Sequence, residues 1–153
     1  MFVSLFIVIH VITVVLWIGG VAFVTTIIFP MLLKMEDPLE KAMMFQRVEN
    51  KFAKQARIYS VITGVTGGLL LYLKEEYSLI FTKAGIGITL MLIAWFIYTF
   101  VLFFERSVFK TLFSQPEKID ASKVFFRLNI FHWFLLGLSL LAVGAGVWAG
   151  HGA

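Results

Sequence analysis

Two histidines stand inside otherwise apolar stretches of this chain. His10 is the one ionisable residue of "IVIHVITVVLWIGGVAFVTTIIFP" (7–30), and His132 follows an arginine and an asparagine in "RLNIFHWFLLG". An ionisable side chain in such a setting is costly and is a functional candidate by default. Histidine is the cheapest of them because it can be neutral, and the neutral imidazole is the commonest metal ligand. At about 100° per residue, His10, Thr13, Val14, Trp17, Gly20, Val21 and Val24 share one broad face of a helix, with Gly19 opposite. That face offers a nitrogen donor, then an aromatic wall, then a position with no side chain, which is what a flat macrocycle needs. The bland alternative is that Trp17 and Gly20 pack against another helix.

The rest of the inventory narrows the chemistry. There is no cysteine, so thiolate metal sites, disulfides and thiol redox chemistry are excluded, and any redox role needs a cofactor. Two buried histidines on two helices point to haem b held in a bundle core, with His10 the first candidate for an axial ligand and His132 the second candidate. Met91 is a weaker, thioether candidate. Arg57, Arg127 and Asn129 lie at the level of His132, and the arginine fork suits the carboxylates of haem propionates. Lys83, expected a turn inside the third apolar run, is a candidate partner for a propionate or a substrate carboxylate, against the alternative that it reaches out to the interface. His151, near the C-terminal end of the sequence, is expected to be solvated.

The elements that must position these groups are membrane helices. Of 153 residues, 60% are hydrophobic and 14% charged, and the mean hydropathy is +0.94; soluble domains carry about 25% charged residues. Four runs, 2–33, 58–73, 79–104 and 128–149, approach or exceed the roughly 20 residues needed to cross a bilayer. Each should be a helix, because backbone groups cannot stay unpaired in lipid. The first run has no basic residue before Lys34, so it reads as a retained helix and not as a cleaved leader. Of the 13 basic residues all but Lys74 and Lys83 flank the first and third connections, which puts those connections in the cytoplasm and both termini outside. The first connection, "PLEKAMMFQRVENKFAKQARIYS", has helical periodicity and should lie on the inner face or extend its neighbours. "SQPEKID", with Pro116, reads as a loop, and "KEEYS" as a tight turn. Gly64, Gly68, Gly85, Gly87, Gly137, Gly144 and Gly146 are expected where helices approach closely. With the first helix running inward and the fourth outward, His10 and His132 differ in depth by on the order of 13 Å. One ring can take both only if a helix tilts or slides; otherwise the two serve different haems, or one of them is not a ligand.

The segment "IHVITVVLWIGGVAFVTTIIFP" resembles the opening of the CopD-like and HemJ-like membrane families, with His10, Trp17, Gly19, Gly20 and Pro30 at the matching positions. "NKFAKQARIYSVITGVTGGLLLYL" resembles the basic entry and glycine-bearing body of their second helix. "FTKAGIGITLMLIAWF" is similar to a third helix entered through a lysine, here Lys83, and "FFRLNIFHWFLL" to an arginine-and-asparagine entry to the last, here Arg127 and Asn129. The resemblance implies a four-helix membrane bundle. HemJ-type members bind haem b and oxidise protoporphyrinogen, with the first-helix histidine and third-helix lysine important; CopD-like members are associated with copper handling. The chain departs from the HemJ pattern after Asn129, where "IFHW" replaces an expected acidic residue and proline. His132 is thereby an extra candidate ligand, which favours a cytochrome-like protein over an oxidase.

The expectation is an all-α integral membrane four-helix bundle, one domain over 1–153, in a bacterial or archaeal plasma membrane. Its function would be haem b binding for electron transfer or for porphyrin or quinol redox chemistry, as a membrane oxidoreductase or a cytochrome b-like carrier. Expected partners are the lipid bilayer, a quinol or porphyrin and a second copy in a homodimer, with no nucleic acid. Two other classes stand beside it: a CopD-like copper uptake protein, and a non-catalytic assembly subunit in which both histidines are packed polar groups.

Overall fold

Proline and aspartate set the first two helix boundaries in the computed structural model, which describes residues 2–114 and 121–151, with side chains at 2–104 and 123–148. Helix α1 spans Phe2–Lys34 and contains one π-helical turn at Val24–Ile28. Pro30 causes it: the residue has no N–H, and its ring clashes with the carbonyl four residues back, so the ladder widens locally. The hydroxyls of Thr25 and Thr26 donate to the carbonyls of Val21 and Ala22, each at 2.7 Å, and hold the preceding turn. The altered register turns Phe29 and Leu32 inward, and both are fully buried.

Asp37 then caps α2, accepting from the backbone N–H of Leu39 at 2.7 Å and of Glu40 at 3.3 Å, with Pro38 in the first turn. Helix α2 runs Pro38–Leu73, 36 residues without a break. At about 1.5 Å per residue it is far longer than a bilayer core, so its basic first half projects beyond the hydrocarbon. The span expected from residue 58 is thus the second half of a helix that begins at Pro38, and the expected amphipathic connection is its first half.

The turn after α2 is longer than "KEEYS". It occupies 74–85, includes a 3-10 turn at Glu76–Leu79, and places Glu75 and Phe81 at positive φ (54° and 64°). Thr82 accepts from the N–H of Gly85 at 3.1 Å, and Thr89 accepts from Phe81 at 3.0 Å, so hydroxyls stop the helix from starting at residue 79. A Cβ on Gly85 would strike the carbonyl of Leu79. Helices α3 (Ile86–Ser114) and α4 (Ala121–His151) follow; the loop expected around Pro116 lies outside the described residues.

All described regular structure is helical, and four helices are long and apolar enough to cross a membrane. Large apolar side chains such as Leu5, Val15, Phe96 and Leu141 face outward, where lipid would cover them, and mark an integral membrane protein. Packing is densest between α1 and α2 and between α3 and α4. Gly87 lets α3 meet the backbone of α4 at Ala145, within 2.8 Å of where a Cβ would sit, as expected of a contact glycine. Gly68, Gly137 and Gly144 have nothing within 4 Å of that position, which corrects their expected role. The two helix pairs meet more sparsely, and cavities remain between them.

Candidate functional site

Two chambers open along the bundle, one at each histidine. The His10 chamber has a volume of about 420 Å³ and takes walls from all four helices: His10 and Trp17 from α1, Gly64, Gly67 and Gly68 from α2, Met91, Trp95 and Tyr98 from α3, and Ser139 and Ala142 from α4. Lys74 and Glu76, ion-paired to each other at 2.5 Å, line its loop end. The His132 chamber, about 260 Å³, is lined by Phe45, Glu49, Phe52, Phe100, Phe104 and Phe131 around His132. Trp17 and Tyr98 belong to both walls, with ring centroids 4.8 Å apart in an edge-to-face contact. The two histidines therefore line different cavities, which leaves the alternatives of two separate groups or of one histidine that is no ligand.

Hydrogen bonding fixes the tautomer of each histidine. His10 Nδ1 lies 3.0 Å from Thr66 Oγ1. That hydroxyl donates its proton to backbone carbonyls, Ile62 at 2.7 Å and Thr63 at 3.2 Å, and carbonyls only accept. Thr66 is therefore the acceptor and Nδ1 carries the hydrogen. The lone pair is left on Nε2. The ring rests on Gly67, where a Cβ would lie 3.0 Å from Cε1. Thr13, one turn on from His10, accepts from Thr63 at 3.1 Å and ties the same stretch of α1 to α2. The hydrogen bond to Thr66 and the contact with Gly67 set the ring's direction. His132 reaches the same state locally. Its Nδ1–H donates to the Leu128 carbonyl at 2.9 Å on its own helix, and its ring packs against Phe29, centroids 4.6 Å apart.

The other expected residues divide. Trp17 is 5% exposed and its indole N–H has no partner among the described residues, so a donor is buried unpaired in the wall common to both chambers. Met91 lines the His10 chamber, with its methyl end packed on Gly146. Gly20 does give clearance, but to Phe52, whose ring edge lies 2.5 Å from where a Cβ would stand. Arg57 donates from Nε to the Leu102 carbonyl at 3.0 Å and ties α2 to α3; it lines neither chamber. Arg127 is exposed, and Asn129 is half-buried with an unpartnered Oδ1; neither reaches a chamber. Lys83 is exposed in the 74–85 connection, before α3 begins, and not a turn inside a span; Lys74 takes the place at the mouth. The side chain of His151 lies outside the described residues.

Thr66, Gly67, Trp95 and Tyr98 were not singled out by sequence. A signal exists for the first two: Thr63, Thr66 and Gly67 share one face of α2 in "TGVTGG", hydroxyls beside a bare position. Among the described residues no three His, Cys, Asp or Glu side chains converge as a metal cage. No family model, curated protein or solved structure gives a significant match to the chain.

Proposed function

We propose that this protein binds haem b in the His10 chamber and serves as an electron carrier within the membrane. One observation carries the proposal: His10 presents the Nε2 lone pair at a cavity walled by aromatic rings and glycines, with Nδ1–H already committed to Thr66. A porphyrin brings four nitrogen donors of its own, so one protein nitrogen suffices where a bare ion would need a cluster of side chains. Bound there, haem would supply a one-electron couple whose potential follows its ligation and burial.

The chain's own residues have defined tasks in this scheme. His10 would supply a nitrogen ligand to the iron, and Thr66 and Gly67 hold its ring in orientation. Trp17 and Trp95 offer flat apolar faces, and Gly68 leaves room beside α2. Lys74 stands where a propionate would emerge. The excess of basic residues around the first and third connections supports an orientation with the His10 chamber toward the outer side, in a membrane we read as a bacterial or archaeal plasma membrane.

The test is an absorption spectrum of detergent-purified protein from cells well supplied with haem, with a reduced-minus-oxidised difference spectrum. A Soret band that disappears in His10→Ala supports the proposal. Full pigment in that variant overturns the ligand assignment. Colourless protein from such cells overturns the function, in favour of copper handling if the protein carries copper and of an assembly subunit if it carries no metal.

A further inference from the structure

The His132 chamber is separate from the His10 chamber, and its chemistry differs. Its polar atoms are few and mostly acceptors. His132 offers an Nε2 lone pair because Nδ1–H is spent on Leu128, and Glu49 brings a carboxylate to the wall. The Tyr98 hydroxyl is engaged with Ser139, and the rest of the lining is apolar and largely aromatic. Phe100 and Phe104 line the chamber, yet each is more than half exposed on the face that lipid would cover. The cavity therefore lies just behind lipid-facing side chains, near the end of the apolar part of α3.

A ligand suited to this place is flat, aromatic and lipid-soluble. It gives a hydrogen bond. We infer that the chamber binds the ring of a quinol in its reduced, dihydroxy form, with one hydroxyl donating to His132 Nε2. The oxidised quinone has carbonyls only, and two acceptors facing each other gain nothing, so the site should discriminate between the redox forms. Binding requires no haem in the His10 chamber, and the two readings fail separately.

Equilibrium dialysis of menadiol under anaerobic conditions against the detergent-solubilised full chain tests this, with menadione and menadiol dimethyl ether as comparisons. One menadiol per chain is expected, with menadione and the ether weaker on the order of tenfold, since each would leave a buried acceptor unpaired. His132→Phe should weaken menadiol by a similar factor, and Val48→Trp, which fills the chamber without removing a hydrogen-bonding group, should abolish binding, so the test remains informative if the first fails to fold. Binding retained in His10→Ala supports the assignment, whereas binding lost there places the ligand in the other chamber and overturns it. Equal affinity for menadiol and its ether, or indifference to both substitutions, overturns it as well. So does a second haem per chain that His132→Phe removes.

Discussion

Both chambers contain a histidine with its proton on Nδ1 and its lone pair on Nε2, but the two are made in different ways. His132 is oriented within its own helix, by a carbonyl four residues back. His10 is oriented across an interface, by the hydroxyl of Thr66 on α2 and the bare backbone of Gly67. Around His132 the walls are mostly phenylalanine; around His10 they include glycine, threonine and indole. The difference teaches that one helix can fix a tautomer by itself, whereas holding a ring against a neighbouring helix takes groups from both.

The largest expected effect tests that asymmetry directly. His10→Ala should abolish the pigment, while His132→Ala should leave the Soret band in place; the reverse result would exchange the roles of the chambers. Next is the support behind the donor. Thr66→Val keeps the shape and removes the acceptor for Nδ1–H, so haem affinity should fall by about 10- to 100-fold. Titration of the haem-free protein with hemin measures it. At His132 the matching acceptor is backbone, and no side-chain substitution can remove it. A smaller effect is expected at Gly67, because the added methyl of Gly67→Ala meets the edge of the imidazole, which must shift by a few tenths of an ångström. A loss of roughly fivefold, near 1 kcal/mol, is expected in the same titration. An unchanged affinity would mean that the ring is not held against α2. The smallest change belongs to Met91→Leu. The methionine is packed on Gly146, so pigment content should stay at the wild-type level; loss of the pigment would make the thioether a ligand.

Much of this was legible in the sequence, for local reasons. The apolar runs, the oddity of His10 and the shared face from His10 through Val24 are properties of single segments, and burial of Thr13, Trp17, Val21 and Val24 follows that face. The start of α2 was also written locally, in the Asp37–Pro38 cap, but the apolar run from residue 58 drew more notice. The start of α3 was harder. Hydropathy sees "SLIFTKAG" as a continuation of the span, whereas Thr82, Thr89 and Gly85 fold it into a loop, and Lys83 goes with it.

Composition and periodicity were enough for the class of protein, the number of spans and the candidate donors, because hydrophobic burial in lipid acts on each helix separately. Helix packing alone determined which groups meet. Gly20 received Phe52 and not a macrocycle, Arg57 tied two helices together, and Trp17 became a wall between two cavities because α1–α2 and α3–α4 meet imperfectly. Contacts of that kind depend on the rotation and depth of one helix against another, and those quantities are properties of pairs, not of any one segment.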